Sequence, residues 1–361
     1  MVSVAQPCPE PIVDRIQSRK RMPALDGLRA ISIALVLLGH LSGTRGFPKL
    51  DLARYVGDYA NLGVTMFFVI SGYLISNLLV EEAQRFGNIS LRLFYARRAL
   101  RLFPAFLLFA LFLAIVQWAG WIRLNPGDLV AAVTYTVNFR SHSSWYIGHL
   151  WSLSVEEQFY LLWPALLAFA GCRRSGRVAV GVLLLSPVAR LVAVRLHLPG
   201  AIFPCVADSL ACGCLLALSG GRLLRRPAYR RLIAWKYFLP AAVMIIFISN
   251  WTRHYMIGTA LGVSVINLVF AVLIHRCVVF PSRTTRFLTL SPLVAVGVLS
   301  YSLYLWQQLF LNQHSSWAVC QFPANLLLAA GAAIASYYCV ERPLNELRRK
   351  LRRRGAAVFG V

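Results

Sequence analysis

Two ionisable side chains, Arg29 and His40, lie eleven residues apart in a stretch that is otherwise almost entirely apolar. On a helix this spacing places both on one face, about 16 Å apart along the axis. An ionisable group inside a membrane helix is costly unless it faces a polar interior, so it marks a candidate functional site. An imidazole at such a site can act as a general base on a hydroxyl group. The alternative is a histidine that is only hydrogen-bonded within a helix bundle.

A second polar stretch, residues 149–160, lies in another apolar segment. Counting residues from the membrane surfaces places Glu156 at the depth of His40, so we expect its carboxylate to orient and charge-balance the imidazole. Glu157 points about 100° away on the same helix, and two adjacent carboxylates are expensive in a membrane. At helical spacing one face of this stretch carries His149, Ser152, Glu156 and Tyr160.

A cluster of arginines opens a third apolar segment. Arg97 and Arg101 are one turn apart and share a face, with Arg98 beside them. Guanidinium groups match phosphate oxygens, so the cluster predicts a phosphate clamp. The alternative is ordinary anchoring by positive charge on the cytoplasmic side. Two further polar residues stay open: Ser71 indicates helix packing more than a nucleophile, and Asp208 either contacts the site or pairs with an arginine.

The composition indicates an integral membrane protein. Of the 361 residues 58% are hydrophobic and only 14% are charged, and the mean hydropathy is +0.63. Soluble domains carry about 25% charged residues. The net charge of +24 does not point to nucleic acid, because the basic residues lie in short loops between apolar runs. The cysteines and histidines show no metal-binding spacing, so we expect no metal.

The apolar runs predict an all-α bundle of about ten transmembrane helices. The positive charges alternate between loops: 27 of the 37 lysines and arginines fall on one side and six on the other. This asymmetry places both termini in the cytoplasm, with basic cytoplasmic tails at 1–21 and 345–361. Segment 127–139 is too short to span and is either interfacial or re-entrant. The predicted spans are 25–44, 57–80, 102–120, 149–171, 178–197, 203–219, 232–250, 255–275, 288–311 and 324–340.

Several of these motifs follow one another in a fixed order. Together they resemble the membrane-bound acyltransferase family 3, the integral-membrane O-acyltransferases of bacterial surface glycans, nodulation factors and some macrolides. The resemblance covers residues 22–344 and implies a location in the bacterial inner membrane. The motifs that carry it are Arg29 with His40, Gly63-Val64 with Ser71-Gly72, Phe94-Tyr95 with Arg97-Arg98 and Arg101, Trp151-Ser152 with Glu156-Glu157, Ser300 to Trp306, and Glu341-Arg342-Pro343.

The resemblance implies an enzyme that takes an acyl group, commonly acetyl, from a coenzyme A thioester on the cytoplasmic side. The acceptor would be a hydroxyl of a sugar or glycoside, and no cofactor would be tightly bound. The family's paired motif maps onto Arg29 and His40. Its arginine motif maps onto Arg97, Arg98 and Arg101, and its acidic motif onto Glu156 and Glu157. Membrane lipids are expected partners, and nucleic acid is not.

The chain departs from the family in two places. The family often has a histidine where this chain has Gln307, so we assign no catalytic role there. An arginine often precedes the position of Asp208, whereas Pro204-Cys205 stand here. Some relatives carry an appended soluble domain. Since this chain ends at Val361, we expect direct transfer by the bundle or a separate periplasmic or surface-polymer assembly partner.

These observations lead to one main hypothesis and two alternatives. In the main one His40 is a general base on the acceptor hydroxyl or a transient acyl relay, and Arg29 holds the first helix against the donor. A proton-coupled secondary transporter would use His40 and Glu156 as a proton relay. A lipid-binding scaffold would leave the intramembrane charges unexplained.

Overall fold

The computed structural model describes residues 2–3, 22–48, 59–252 and 255–346. The all-α prediction is confirmed: apart from an antiparallel pairing of β1 (Val2–Ser3) with β2 (Asn88–Ile89), the described elements are helices. Most of the two predicted tails lies outside the described residues. The α-helices are α1 (Pro23–Leu41), α2 (Tyr59–Phe86), α3 (Leu91–Trp118), α4 (Asp128–Val133), α5 (Trp145–Gly148), α6 (Leu150–Arg195), α7 (Phe203–Leu224), α8 (Pro227–Ala234), α9 (Phe238–Trp251), α10 (Val263–Val279), α11 (Arg283–Leu288), α12 (Ser291–Phe310) and α13 (Ala324–Ser336).

Long apolar helices dominate the described chain. Eight are long and apolar enough to cross a membrane, and α8 with α9, bent by 87°, makes a ninth. Helix α6 is interrupted at Gly171, where the backbone is not helical (φ 74°, ψ 169°). Nine residues of straight helix rise about 13.5 Å, yet the Ser175 Oγ lies 3.3 Å from the Leu166 carbonyl oxygen, so the chain bends sharply at this glycine. With α6 divided there, the apolar segments correspond one to one with the ten predicted spans.

The packing of α1 fixes the relative direction of its neighbours. Gly39 lies against Ala60, and Gly63 lies against the Ser32 carbonyl, so α1 and α2 are antiparallel. Gly297 lies against the Asp26 backbone at the start of α1, and contacts near the end of α1 involve the end of α12, so these two helices are parallel. The first, second and ninth spans of the predicted topology have these relative directions. The cytoplasmic orientation of the termini stays a prediction.

Helices α2 and α7 meet through two glycines. A Cβ at Gly72 would lie 2.1 Å from the Leu210 carbonyl oxygen, and a Cβ at Gly213 would lie 2.1 Å from the Val69 carbonyl oxygen. Only glycine allows this approach of two backbones, a common device in membrane helices. The core formed beside this contact includes Ile33, Phe68, Val155 and Leu210, whereas the outer faces of α3 and α6 expose leucines to the surroundings.

Segment 127–139 enters the bundle and returns. Its tip is Tyr135, a left-handed residue (φ 53°) whose ring stacks on Phe106, with centroids 4.8 Å apart, and contacts Phe103. Phe103 lies fifteen residues before Trp118, the last residue of α3, and is therefore about 22 Å from that end of the helix. The tip therefore penetrates deeply, and the re-entrant alternative is the one that holds.

Polar contacts fasten this re-entrant segment at both ends. At its base the buried Asp128 pairs with Arg140 at 3.2 Å and accepts a hydrogen bond from the backbone N–H of Ser144. At its tip the Gln158 amide donates to the backbone carbonyl of Tyr135 and to the side-chain Oδ1 of Asn138. Backbone that is not helical is tolerated at this depth only when protein groups satisfy it, and Gln158 supplies that pairing.

Candidate active site

His40 lies in the last turn of α1, where α12 provides its partner. The Nδ1 of His40 is 2.8 Å from the Oε1 of Gln307, a fully buried side chain. An amide oxygen only accepts hydrogen bonds, so Nδ1 carries the proton and Nε2 is the unprotonated, basic nitrogen. The indole of Trp145 approaches the imidazole edge-on, with ring centroids 5.8 Å apart. The imidazole is thus held in one tautomer, with the arrangement that a general base requires.

His149 lies at the same end of the bundle, at the start of α6, and is almost fully buried. Its Nε2 donates to the Leu305 carbonyl at 3.1 Å, which leaves Nδ1 as an acceptor. Among the described residues this buried Nδ1 has no hydrogen-bond partner. The backbone around it is fastened to α12, because the hydroxyl of Tyr304 donates to the His149 carbonyl and the Oε1 of Gln308 accepts from its N–H.

A cavity of about 330 Å³ connects these two histidines. Its walls combine aromatic rings and amides. None of the described residues that line it is an aspartate, glutamate, lysine or arginine. The lining residues with polar or aromatic side chains are His40, Asn61, Trp145, His149, Trp151, Tyr304, Gln308 and Gln313.

The prediction that Glu156 lies at the depth of His40 is wrong. The Glu156 carboxylate accepts hydrogen bonds from Ser71 at 2.7 Å and from Tyr160 at 3.2 Å. Because α1 and α2 are antiparallel, Ser71 lies opposite the start of α1, about 16 Å from His40. The depth was counted from the first residue of α6 as if it lay at the membrane surface. In fact His149 is already at the depth of His40, and Glu156 lies two turns further along α6, away from His40.

Arg29 and Glu156 instead belong to one charged cluster in the half of the bundle that contains the start of α1. Arg29 forms an ion pair with Asp26 at 3.9 Å and lies within electrostatic range of Glu156, Tyr160 and Arg98. Glu157 is also within range of Arg98 and Glu156. The predicted site residues therefore form two groups, a histidine pair and a charged cluster.

The three clustered arginines of α3 have different partners, and the phosphate clamp stays a prediction. Arg98 stacks on the ring of Tyr160, with its Cζ 3.6 Å from the centroid, and its Nε is buried without a hydrogen-bond partner among the described residues. Arg97 pairs with Glu82 at 2.8 Å and fastens the connection between α2 and α3. Arg101 is within electrostatic range of Glu341. Arg98 is thus the member of the three that contacts Tyr160 of the charged cluster directly, whereas Arg101 shares Glu341 with Arg29.

Comparison with known proteins shows which family the chain belongs to. Residues 22–342 match the family model described as Acyltransferase domain, of acyltransferase family 3. The chain belongs to this family. Two relatives are the O-acetyltransferase OatA of Staphylococcus aureus, 28% identical over 92% of this chain and 59% of the relative, and the peptidoglycan O-acetyltransferase OatA of Listeria monocytogenes, 27% identical over 91% and 56%. The chain therefore spans less than two thirds of their length. No solved structure matches it.

The structure also answers the open question about the partner of Asp208. Asp208 is fully buried and pairs with Arg190 at 3.1 Å. Arg190 also donates to the carbonyls of Cys205 and Ala260, and to the hydroxyl of Ser264. The aspartate pairs with an arginine and joins α6, α7 and α10.

Gln307 is the site residue that sequence reasoning missed. It was set aside because acyltransferases of this family often have a histidine at that position. The available signal was chemical: an amide oxygen accepts a hydrogen bond from an imidazole N–H as well as a carbonyl oxygen does. Parallel packing of α1 and α12 brings the residue to His40, and this contact between distant segments was not visible in the spacing.

Proposed function

We propose that this acyltransferase transfers an acetyl group from a coenzyme A thioester on the cytoplasmic side of the inner membrane to a hydroxyl of a glycan or glycoside. The observation that carries the proposal is the separation of about 16 Å along α1 between the charged cluster and His40. Arg29 and Arg98 would bind the donor phosphates, and His40 would act on the acceptor. The names of the relatives, which include a peptidoglycan O-acetyltransferase, support this reaction class.

The separation matches the length of the donor. Roughly thirteen bonds join the pyrophosphate of coenzyme A to its sulfur, which corresponds to about 15 Å when extended, at the reach of a polypeptide backbone. Phosphates held beside Arg98 at the inner end would therefore place the thioester beside His40. A donor bound in this way reaches from the cytoplasmic side to the cavity without moving the protein backbone over a long distance.

The chemistry at the cavity needs only proton transfer and alignment. The Nε2 of His40 takes the proton of the acceptor hydroxyl as its oxygen attacks the thioester carbonyl. The carbon–sulfur bond breaks, and the imidazolium returns the proton to the thiolate of coenzyme A. The hydrogen bond to Gln307 holds the ring in the required tautomer throughout. A thioester is an activated donor, so no tightly bound cofactor is required for this step.

Arg98 is held in place for phosphate binding by its neighbours. The ring of Tyr160 supports its guanidinium, and the Tyr160 hydroxyl is in turn fixed by Glu156. Glu156 is therefore a positioning residue in this proposal, one step removed from the donor. The transporter alternative is not favoured, because its proton relay needs His40 and Glu156 side by side, and the two lie at different depths.

The first test uses the purified protein in lipid with acetyl-coenzyme A, with and without an acceptor. We expect release of free thiol by wild type and its loss, by about 100-fold or more, in His40→Ala. We also expect weaker equilibrium binding of coenzyme A in Arg98→Ala and no change in Arg92→Ala, a matched control exposed on the same helix. Thiol release that survives in His40→Ala would contradict the proposal.

A further inference from the structure

Building on the proposed function, we infer that the cavity binds an uncharged sugar ring and that His149 accepts a hydrogen bond from a hydroxyl neighbouring the reacting one. His149 is thereby an acceptor-binding residue with a role distinct from that of His40. The inference concerns the acceptor alone and makes no use of the donor site.

The first observation is the unpaired nitrogen of His149. Its Nε2–H is used by the Leu305 carbonyl, so its Nδ1 can only accept. That atom is buried in a residue that is 3% exposed, lines the cavity and offers no partner among the described residues. Buried polar atoms are rarely left without a partner. The group that completes this one must bring an O–H or N–H donor into the cavity.

The second observation is that His40 lies on the same cavity. Its Nδ1–H is used by Gln307, so in the proposed reaction its Nε2 takes the proton of the reacting hydroxyl. The two imidazoles lie within electrostatic range of each other on one cavity. A ligand that reacts at His40 and also completes the hydrogen bonding of His149 must carry two hydroxyl groups close together, as a sugar ring does.

The third observation is the character of the walls. Trp145, Trp151 and Tyr304 offer aromatic surface for the apolar face of a ring, and Gln313 offers an amide at the mouth. The Trp145 orientation is fixed, since its Nε1 donates to the Gln308 carbonyl at 2.9 Å. No charged side chain of the described residues faces the cavity, and a buried unpaired charge is costly. A uronate or phosphorylated ring is therefore disfavoured there, and the volume, at the small end for ligand sites, suits one sugar unit.

The test combines a substitution in the protein with the removal of single hydroxyl groups from the acceptor, as in a double-mutant cycle. We would measure kcat/KM for acetyl transfer to methyl N-acetyl-β-glucosaminide and to its 3-, 4- and 6-deoxy counterparts, with wild type and His149→Phe. One deoxy analogue will lack the reacting hydroxyl. Of the others, one should have a kcat/KM about 10- to 100-fold below that of the undeoxygenated glycoside with wild type, because it leaves the Nδ1 of His149 unpaired. With His149→Phe, kcat/KM for the undeoxygenated glycoside should fall to a similar value, and kcat/KM for this deoxy analogue should fall no further.

A matched control is His275→Phe. His275 is another fully buried histidine, and its ring is hydrogen-bonded to the Tyr229 hydroxyl in another part of the bundle. This variant should keep the wild-type pattern across the deoxy series. A second measurement needs no variant: wild type should prefer methyl glucoside over methyl glucuronide by about tenfold or more.

Two results would overturn the inference: wild type that is indifferent to every deoxygenation, or a deoxy penalty that persists unchanged in His149→Phe. If none of the glycosides is acetylated while coenzyme A binding still depends on Arg98, the inference fails and the donor half of the proposed function stands. If coenzyme A does not bind either, the proposed function fails as well.

Discussion

Two charged clusters of this protein, one buried and one half-buried, differ in how completely their polar atoms are paired. In the Arg190–Asp208 network each guanidinium nitrogen donates to a carbonyl, carboxylate or hydroxyl oxygen, and both carboxylate oxygens accept. In the cluster around Glu156, by contrast, the Nε of Arg98 is buried without a partner among the described residues. A fully satisfied network rigidifies a structure, whereas an unsatisfied group needs an explanation. We interpret the first cluster as structural and the second as a binding site for an anion.

The largest effect that this comparison predicts is on stability. Asp208→Ala leaves the guanidinium of Arg190 buried without its counter-charge, which costs about 3–5 kcal/mol. We expect a marked fall in the thermal unfolding temperature of the protein in lipid. The fraction that stays folded should still bind coenzyme A, because Asp208 is bonded to Arg190 and Ser264 and not to Arg98.

The control for this prediction removes both charges together. Arg190→Met with Asp208→Leu replaces the pair by apolar side chains, which is often neutral or stabilising for a buried ion pair. The double variant should therefore unfold at a higher temperature than Asp208→Ala. A double variant that folds normally but no longer binds coenzyme A would contradict the structural interpretation.

The histidine pair offers a different comparison, between His40 and the residue that holds it. Gln307→Leu keeps the volume roughly constant and removes the acceptor of the Nδ1–H bond, so we expect kcat to fall about tenfold with little change in KM for the acceptor. Gln307→Glu retains an oxygen acceptor at this position and should recover a measurable part of the loss. A positioning role is contradicted if both variants lose the same amount, or if KM alone changes.

The sequence predicts features that depend on neighbouring residues better than contacts between segments that are distant in the chain. Hydropathy located the apolar spans, and the bend at Gly171 falls at the end of a predicted span. The depth of Glu156 was misjudged because α6 starts below the level assumed for it. The partners of His40 and Asp208 could not be predicted, since they depend on packing between helices that are distant in the chain. The position of the re-entrant segment could not be predicted either, because its short apolar run is compatible with both an interfacial and a re-entrant placement.

The charged cluster allows one further dissection, between the ring and the hydroxyl of Tyr160. The ring supports the Arg98 guanidinium at 3.6 Å, and the hydroxyl donates to Glu156 at 3.2 Å. Tyr160→Ala removes both and should weaken coenzyme A binding about fivefold, the scale of a partly desolvated cation–π contact. Tyr160→Phe keeps the ring and should weaken binding less than about twofold. Equal losses in the two variants, measured by titration calorimetry, would show that Arg98 is positioned through Glu156 and not by the ring.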